Sequence, residues 1–303
     1  MEKTKAGYVT ILGLPNSGKS TLLNALLGQK LSIITKKPQT TRKQILGILT
    51  EENYQVIFLD TPGILKPNYL LQEKMMDFVL SSVYDADILL IMIDVFDDNN
   101  GSKILSNETV KKIIDSKNKP VILLLNKIDL SNEEHIKKII SELEISNNFV
   151  KVIPISAQHK MNLKSVVEEI LELLPESPKF FPDDIVSDAN ERFYVSEIIR
   201  EKLLEQYQEE IPYSCEVIIA EYKERKDSKD YISAEIVVER QSQKGIIIGK
   251  GGNALKKLGQ VSRKSIEEFL EKEVYLELRV KVRENWRSNE NFLKSFGYSK
   301  DKE

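Results

Sequence analysis

Eight residues near the start of the chain, Gly13-Leu14-Pro15-Asn16-Ser17-Gly18-Lys19-Ser20, have the types and spacing to hold a polyphosphate. Glycine, four residues, glycine, lysine and a hydroxyl residue is the phosphate-loop pattern. In that pattern backbone N–H groups and the positive end of a helix converge on one point. Lys19 would reach the outer phosphates and Ser20 would ligate Mg²⁺, with Thr21 beside it at the helix start. Asp60-Thr61-Pro62-Gly63 adds a carboxylate able to hold Mg²⁺ through water and a glycine whose N–H can approach a γ-phosphate. Alone, that group is a turn signal; it gains weight from the loop upstream. In Asn126-Lys127-Ile128-Asp129, Asp129 can accept from both N1–H and the exocyclic amine of guanine, a pair of donors that adenine lacks. Asn126 can tie this loop to the phosphate loop, and the Lys127 stem can cover one face of the base. Backbone N–H groups at Ser156-Ala157 could meet the guanine oxygen.

A second constellation lies far downstream. Between Gln241 and Ile266 stand Lys244, Lys250, Lys256, Lys257, Arg263 and Lys264, with no acidic residue. Gly249-Lys250-Gly251-Gly252 in the middle has the Gly-x-x-Gly spacing of the sugar-phosphate clamp in KH modules, beside which an apolar groove takes about four unstacked bases. Ile247 and Ile248 either line that groove or fill the core.

The elements needed to position these residues are legible. Tyr8–Leu12 reads as a buried strand, and Ser20–Leu27 has helical spacing and stops at Gly28. Residues 43–50 and 54–60 flank Glu51-Glu52-Asn53 as a hairpin. A helix over Leu71–Tyr84, strands at Ile88–Asp94, Val121–Leu125 and Val150–Ile155, and a helix over Asn162–Leu174 complete a strand-and-helix alternation. Its special residues all fall at strand C-terminal ends, where open α/β sheets bind ligands. Val95–Gly101 reads as a solvated loop. Three prolines between Pro175 and Asp184 mark a semi-rigid linker. The expected division is residues 1–176, a linker 177–189, and 190–303. The second part reads as a helix at Asn190–Gln208, strands at Glu216–Tyr222 and Tyr231–Val238 joined by the polar segment 223–230, two helical segments around the clamp, and a strand at Val274–Val282.

A length of 303 residues suits two domains. No apolar run approaches the ~20 residues that span a bilayer, and Met1–Lys5 leads straight into the first strand with no signal-peptide pattern. A single cysteine, Cys215, excludes an internal disulfide and fits the cytoplasm. Net charge of −3 argues against a generally basic nucleic-acid binder and leaves room for the local basic patch. His135 and His159 are isolated, and Trp286 reads as a packing or stacking residue.

The ordered motifs, with Gly-x-Pro-Asn-x-Gly-Lys-Ser and Pro38-Gln39-Thr40-Thr41-Arg42, resemble the Era family of GTPases. Arg192-Phe193, residues 197–202 and Leu276–Val282 resemble the second domain of that family, so the likeness covers nearly the whole chain. The fold class implied is an α/β phosphate-loop GTPase domain, mostly parallel with helices on both faces, followed by a smaller α+β KH domain of the prokaryotic type. Thr41 would then join Mg²⁺ when GTP is bound, although Thr40 is easily confused with it. Ile64 stands where Ras-like proteins place a water-orienting glutamine and has no polar atom to do so. Relatives with that replacement and an asparagine at the position of Asn16 bind K⁺ there. The resemblance thus implies GTP and GDP with Mg²⁺ and K⁺, Asn16, Lys19, Thr41 and Gly63 in catalysis, and a monomer. It further implies binding to the 3′ end of small-subunit ribosomal RNA and a role in small-subunit maturation. Some members associate peripherally with the inner membrane. Two other readings stay open: a signalling or membrane-associated GTPase whose second domain binds protein, and a nucleic-acid binder that holds GTP without hydrolysing it.

Overall fold

Aliphatic runs bounded by glycine, proline and polar turns become strands here, and amphipathic segments become the helices that cover them. The computed structural model describes residues 4–145, 148–226 and 228–298. Residues 1–3 and 299–303, at the outer ends of the expected domains, and Asp227 in the segment 223–230 lie outside the described residues.

The first domain runs β1 (Lys5–Gly13), α1 (Lys19–Leu27), β2 (Ile45–Glu51), β3 (Tyr54–Asp60), α2 (Leu70–Asp85), β4 (Ile88–Asp94), α3 (Ser102–Leu105), α4 (Glu108–Asp115), β5 (Val121–Asn126), α5 (Glu133–Glu144), β6 (Lys151–Pro154) and α6 (Leu163–Leu173). Its sheet has the order β2-β3-β1-β4-β5-β6 and is parallel except for β2, which pairs antiparallel with β3. Every residue of β4 and β5 is buried, as expected of strands covered on both faces. Leu12, Ile91, Leu123 and Leu125 join Ile104, Val110, Ile136 and Ile139 in one core. Burying each such side chain contributes about 1.5–3 kcal/mol, so this core holds the strand ends in place.

Two expectations change. The segment Val95–Gly101 is not merely solvated, because Asp98 is buried and accepts from the N–H groups of Lys103 and Ile104 at the start of α3. The proline-rich segment does not stand free either. Val186 O accepts from Ile48 N–H, Ser187 Oγ donates to Leu46 O, and the buried Gln55 amide binds the main chain of Phe180 and Phe181. The edge strand β2 has open backbone groups, and the segment satisfies some of them. By compactness, residues up to Lys66 and Met75–Asp188 form one unit, while Pro67–Lys74 and the residues from Ala189 onward form the other.

The second unit contains α7 (Glu191–Gln206), α8 (Ile211–Ser214), β7 (Glu216–Lys223), β8 (Asp230–Val238), α9 (Gln241–Ile248), α10 (Asn253–Leu270), β9 (Val274–Val282) and α11 (Glu290–Ser295). In the sheet β7-β8-β9, β7 is antiparallel and β9 parallel to β8. Val195, Ile199, Leu203, Ile236, Leu258 and Ile266 belong to its separate core. Trp286 is fully buried against Phe296, and its indole N–H donates to Ser214 O at 3.0 Å, so it packs and does not stack on a base. The α/β domain followed by a smaller α+β domain is the fold class expected from the sequence.

Candidate functional site

At the C-terminal end of β1 the chain turns through Gly18, with φ of 101°, into α1. Lys19 is buried and curls back, its Nζ donating to Gly13 O at 3.2 Å and Leu14 O at 2.9 Å. Burial lowers this ammonium to about 8, against the opposing pull of Asp60. Ser17 contributes backbone only, since its hydroxyl is buried without a hydrogen-bond partner. Leu14 packs its side chain against the core. Gly63 must be glycine, because a Cβ would lie 2.6 Å from Pro15 N, a backbone atom that cannot give way. That proximity brings the Gly63 main chain to the phosphate loop.

Beside this loop, Ser20 Oγ donates to Asp60 Oδ2 at 2.7 Å and lies 2.9 Å from Thr41 Oγ1. Thr40 Oγ1 instead donates to Lys37 O, so Thr41 is the threonine whose hydroxyl reaches Ser20. Ser32 Oγ also donates to Asp60 Oδ2, and Ser32 is fixed by the Asn24 side chain, which accepts from the N–H groups of Leu31 and Ser32. The other carboxylate oxygen, Asp60 Oδ1, is buried without a partner, and burial raises the Asp60 carboxyl. A buried, under-satisfied carboxylate among three hydroxyls fits a hard divalent cation such as Mg²⁺.

Across the pocket, Asn126 joins three loops. Its Nδ2 donates to Ser17 O at 2.8 Å, and its Oδ1 accepts from Ala157 N at 3.0 Å. Ser156 is buried beside it. Lys127 adopts the left-handed region and pairs with Asp94. Asp129 lies on an exposed turn with its side chain 21% accessible, and His159 Nε2 is 3.6 Å from Oδ2. A cavity of about 530 Å³ runs beside the phosphate loop, lined among others by Thr21, Thr41, Gly63, Phe96, Lys127 and Leu130. Asn16 has φ of 65° and donates from Nδ2 to Lys36 O at 3.0 Å.

Several residues expected at the nucleotide prove structural in their side chains. Thr61 is buried and donates to Ile11 O, Ile64 lies in the core, and Pro62 is buried. Ile128 packs on the core while its N–H donates to Ile155 O. Each is apolar or already satisfied, and each sits where the strands need filling. Conversely, Ser32, Asn24, Asp94, Phe96 and Leu130 escaped the sequence reading. Ser32, Asn24, Asp94 and Phe96 lie outside the motifs and join the site through tertiary packing, while Leu130 directly follows Asp129.

In the second unit, Gly249, Gly251 and Gly252 have φ of 71°, 61° and 78° and form the turn from α9 into α10. Ile247 does not line a groove: it is fully buried, and its carbonyl accepts from Tyr207 Oη. Ile248 is half-buried and also packs on the core. A groove lies instead between α10 and the edge strand β9. It is a cavity of about 410 Å³ whose lining includes Gly252, Leu255, Lys256, Gly259, Arg263 and Leu278. Lys250 and Lys257 are exposed, and Lys257 is absent from the lining. Among the described residues, no helix is long and apolar enough to cross a membrane.

Two family models match: "50S ribosome-binding GTPase" over residues 8–127 and "KH domain" over residues 210–287. The chain is 47% identical over 297 residues to a chloroplastic GTPase ERA1 of Zea mays, covering 97% of this chain and 70% of that protein. It is 42% identical over 297 residues to the GTPase Era of Clostridium perfringens, covering 98% and 99% of the two chains. A crystal structure of Era in complex with MgGDPNP and nucleotides 1506–1542 of 16S ribosomal RNA superposes with a TM-score of 0.92 at 40% identity, over 98% of this chain and all of that one. With likeness running through both domains at 42–47% identity and nearly the full length of this chain, the chain belongs to the Era family of GTPases.

Proposed function

We propose that this GTPase is a cytoplasmic switch that binds the 3′ end of small-subunit ribosomal RNA through its KH domain and assists maturation of that subunit. The observation that carries the reading is the groove between α10 and β9, which opens at the Gly249–Gly252 clamp and has Lys256 and Arg263 in its lining. A solved relative bound to 16S ribosomal RNA nucleotides supports it.

In the first domain, the phosphate-loop N–H groups and Lys19 bind the outer phosphates, and the Gly63 N–H faces the γ-phosphate. Asp129 selects guanine, while Asn126 holds the base loop against the phosphate loop. Ser20 and Thr41, with Asp60 through water, would hold Mg²⁺, which when bound neutralises charge on the phosphoryl oxygens. Ile64 orients no water, because its side chain is buried in the core. Asn16 Nδ2 donates to the Lys36 carbonyl, which leaves the uncharged Oδ1 as the Asn16 atom that would take K⁺. Turnover in KCl should therefore exceed turnover in NaCl by about tenfold or more, the scale of one charge-stabilising contact. Asn16→Ala should abolish that ratio while retaining much of the nucleotide binding. Equal rates in both salts would remove the K⁺ assignment.

The RNA reading is tested by replacing Lys250 and Gly251 with Asp-Asp. Two negative charges at the clamp should abolish binding of a short ribosomal 3′-end RNA and leave GTP binding intact. Wild-type affinity should fall as salt rises, because lysine and arginine contacts release counterions. An Asp-Asp protein that binds as tightly as wild type would overturn the clamp. No RNA binding by the wild type, with nucleotide cycling intact, would favour a second domain that binds protein.

A further inference from the structure

Leu255, Gly259 and Arg263 stand four residues apart on α10 and line the groove together, facing Leu276 and Leu278 of β9. Gly259 lies well inside an 18-residue helix, where glycine is the least favourable residue after proline. Nothing local requires it. Its backbone is outside the left-handed region. A Cβ built there would meet one atom within 4 Å, Leu278 Cδ1 at 3.7 Å, which is ordinary contact. Neither backbone strain nor crowding accounts for a glycine that any helix would replace with alanine.

We infer that Gly259 is the seat of one nucleobase, the missing side chain forming a floor on which an unstacked ring lies between Leu255 and Leu278. The inference rests on the RNA reading above and assigns one residue within it. The walls on either side are apolar, as the face of a base requires, while the Lys256 and Arg263 cations in the lining suit its phosphates. Single-stranded RNA is the occupant that combines flat apolar rings with a regularly spaced negative backbone. Any side chain at residue 259 enters the space of the ring, so helix stability and RNA affinity move in opposite directions.

The test uses the full chain and a labelled single-stranded ribosomal 3′-end RNA, with a matched set carrying one abasic nucleotide at each position in turn. Gly259→Ala should melt no lower than wild type and bind RNA more weakly. Gly259→Leu should lose about 5- to 150-fold, the loss expected when one base is unseated. The abasic set should reveal one position whose removal weakens wild type by a similar factor and leaves Gly259→Leu unchanged, since the base and the open floor act as a pair. If Gly259→Leu fails to fold, Gly259→Ala carries the same comparison. Wild-type affinity in Gly259→Leu, or an abasic penalty that persists in it, overturns the seat. If the Asp-Asp clamp variant nonetheless loses RNA, the RNA reading survives that result. Absence of RNA binding by wild type removes both.

Discussion

The proposed guanine selection rests on one carboxylate, Asp129, whose side chain is 21% accessible with His159 Nε2 3.6 Å from Oδ2. An amide at that position presents N–H₂ or a single acceptor where two donors arrive. Asp129→Asn should weaken GTP binding by about 100-fold or more, the equivalent of losing one or two hydrogen bonds to a charged group. Xanthosine triphosphate, with an acceptor at the altered ring position, should bind the variant better than wild type. Fluorescent-nucleotide titrations check both, and unchanged GTP affinity would remove the guanine assignment. The residue could be named from Asn-Lys-x-Asp because the motif's chemistry is local. Ser32 could not, since its hydroxyl meets Asp60 only after 28 residues of chain have folded back.

Elements are held by polar anchors as well as by cores. Asp230 opens β8 with its side chain almost fully buried, accepting from Arg225 N–H at 2.6 Å and pairing with Lys272 at 2.8 Å. Burial opposes ionisation, but the hydrogen bonds and cations prevail and the carboxyl sits below its usual value. A depressed native pKa means that the unfolded chain binds the proton more readily. The stabilisation is therefore complete above the ordinary carboxylate range and is lost as pH falls through the lowered value. Asp230→Asn should cost about 1 kcal/mol at pH 7 and progressively less below pH 4, as measured by urea midpoints across that range. A difference that does not change with pH would mean that the charge contributes nothing.

At the scale of the molecule, each unit buries its own aliphatic core, one around β4 and β5 and one around α7, β8 and α10. Two cores predict two thermal transitions. Mg-GDP at about 100 times its Kd should stabilise the first domain by about 2.7 kcal/mol, raising that transition by several degrees and leaving the second in place. Calorimetry with and without nucleotide reads this directly, and two transitions rising together would show one cooperative unit instead.

The α/β and α+β order, the phosphate and guanine motifs and the clamp glycines were all legible in the sequence. Each depends on local spacing: 3.6- or 2-residue periodicity, or a loop short enough that neighbouring residues must share one centre. What the tertiary structure decided involves distance along the chain. It placed Thr41 rather than Thr40 against Ser20, sent Ile247 into the core, and left a groove between α10 and β9. It also laid the proline-rich segment on β2 and buried Asp98 as a cap. An isoleucine reads the same whether it faces a core or a groove, and a hydroxyl the same whether it caps a turn or meets a carboxylate. Only the packing of residues remote in sequence distinguishes them, because burial and partner choice are properties of the folded neighbourhood.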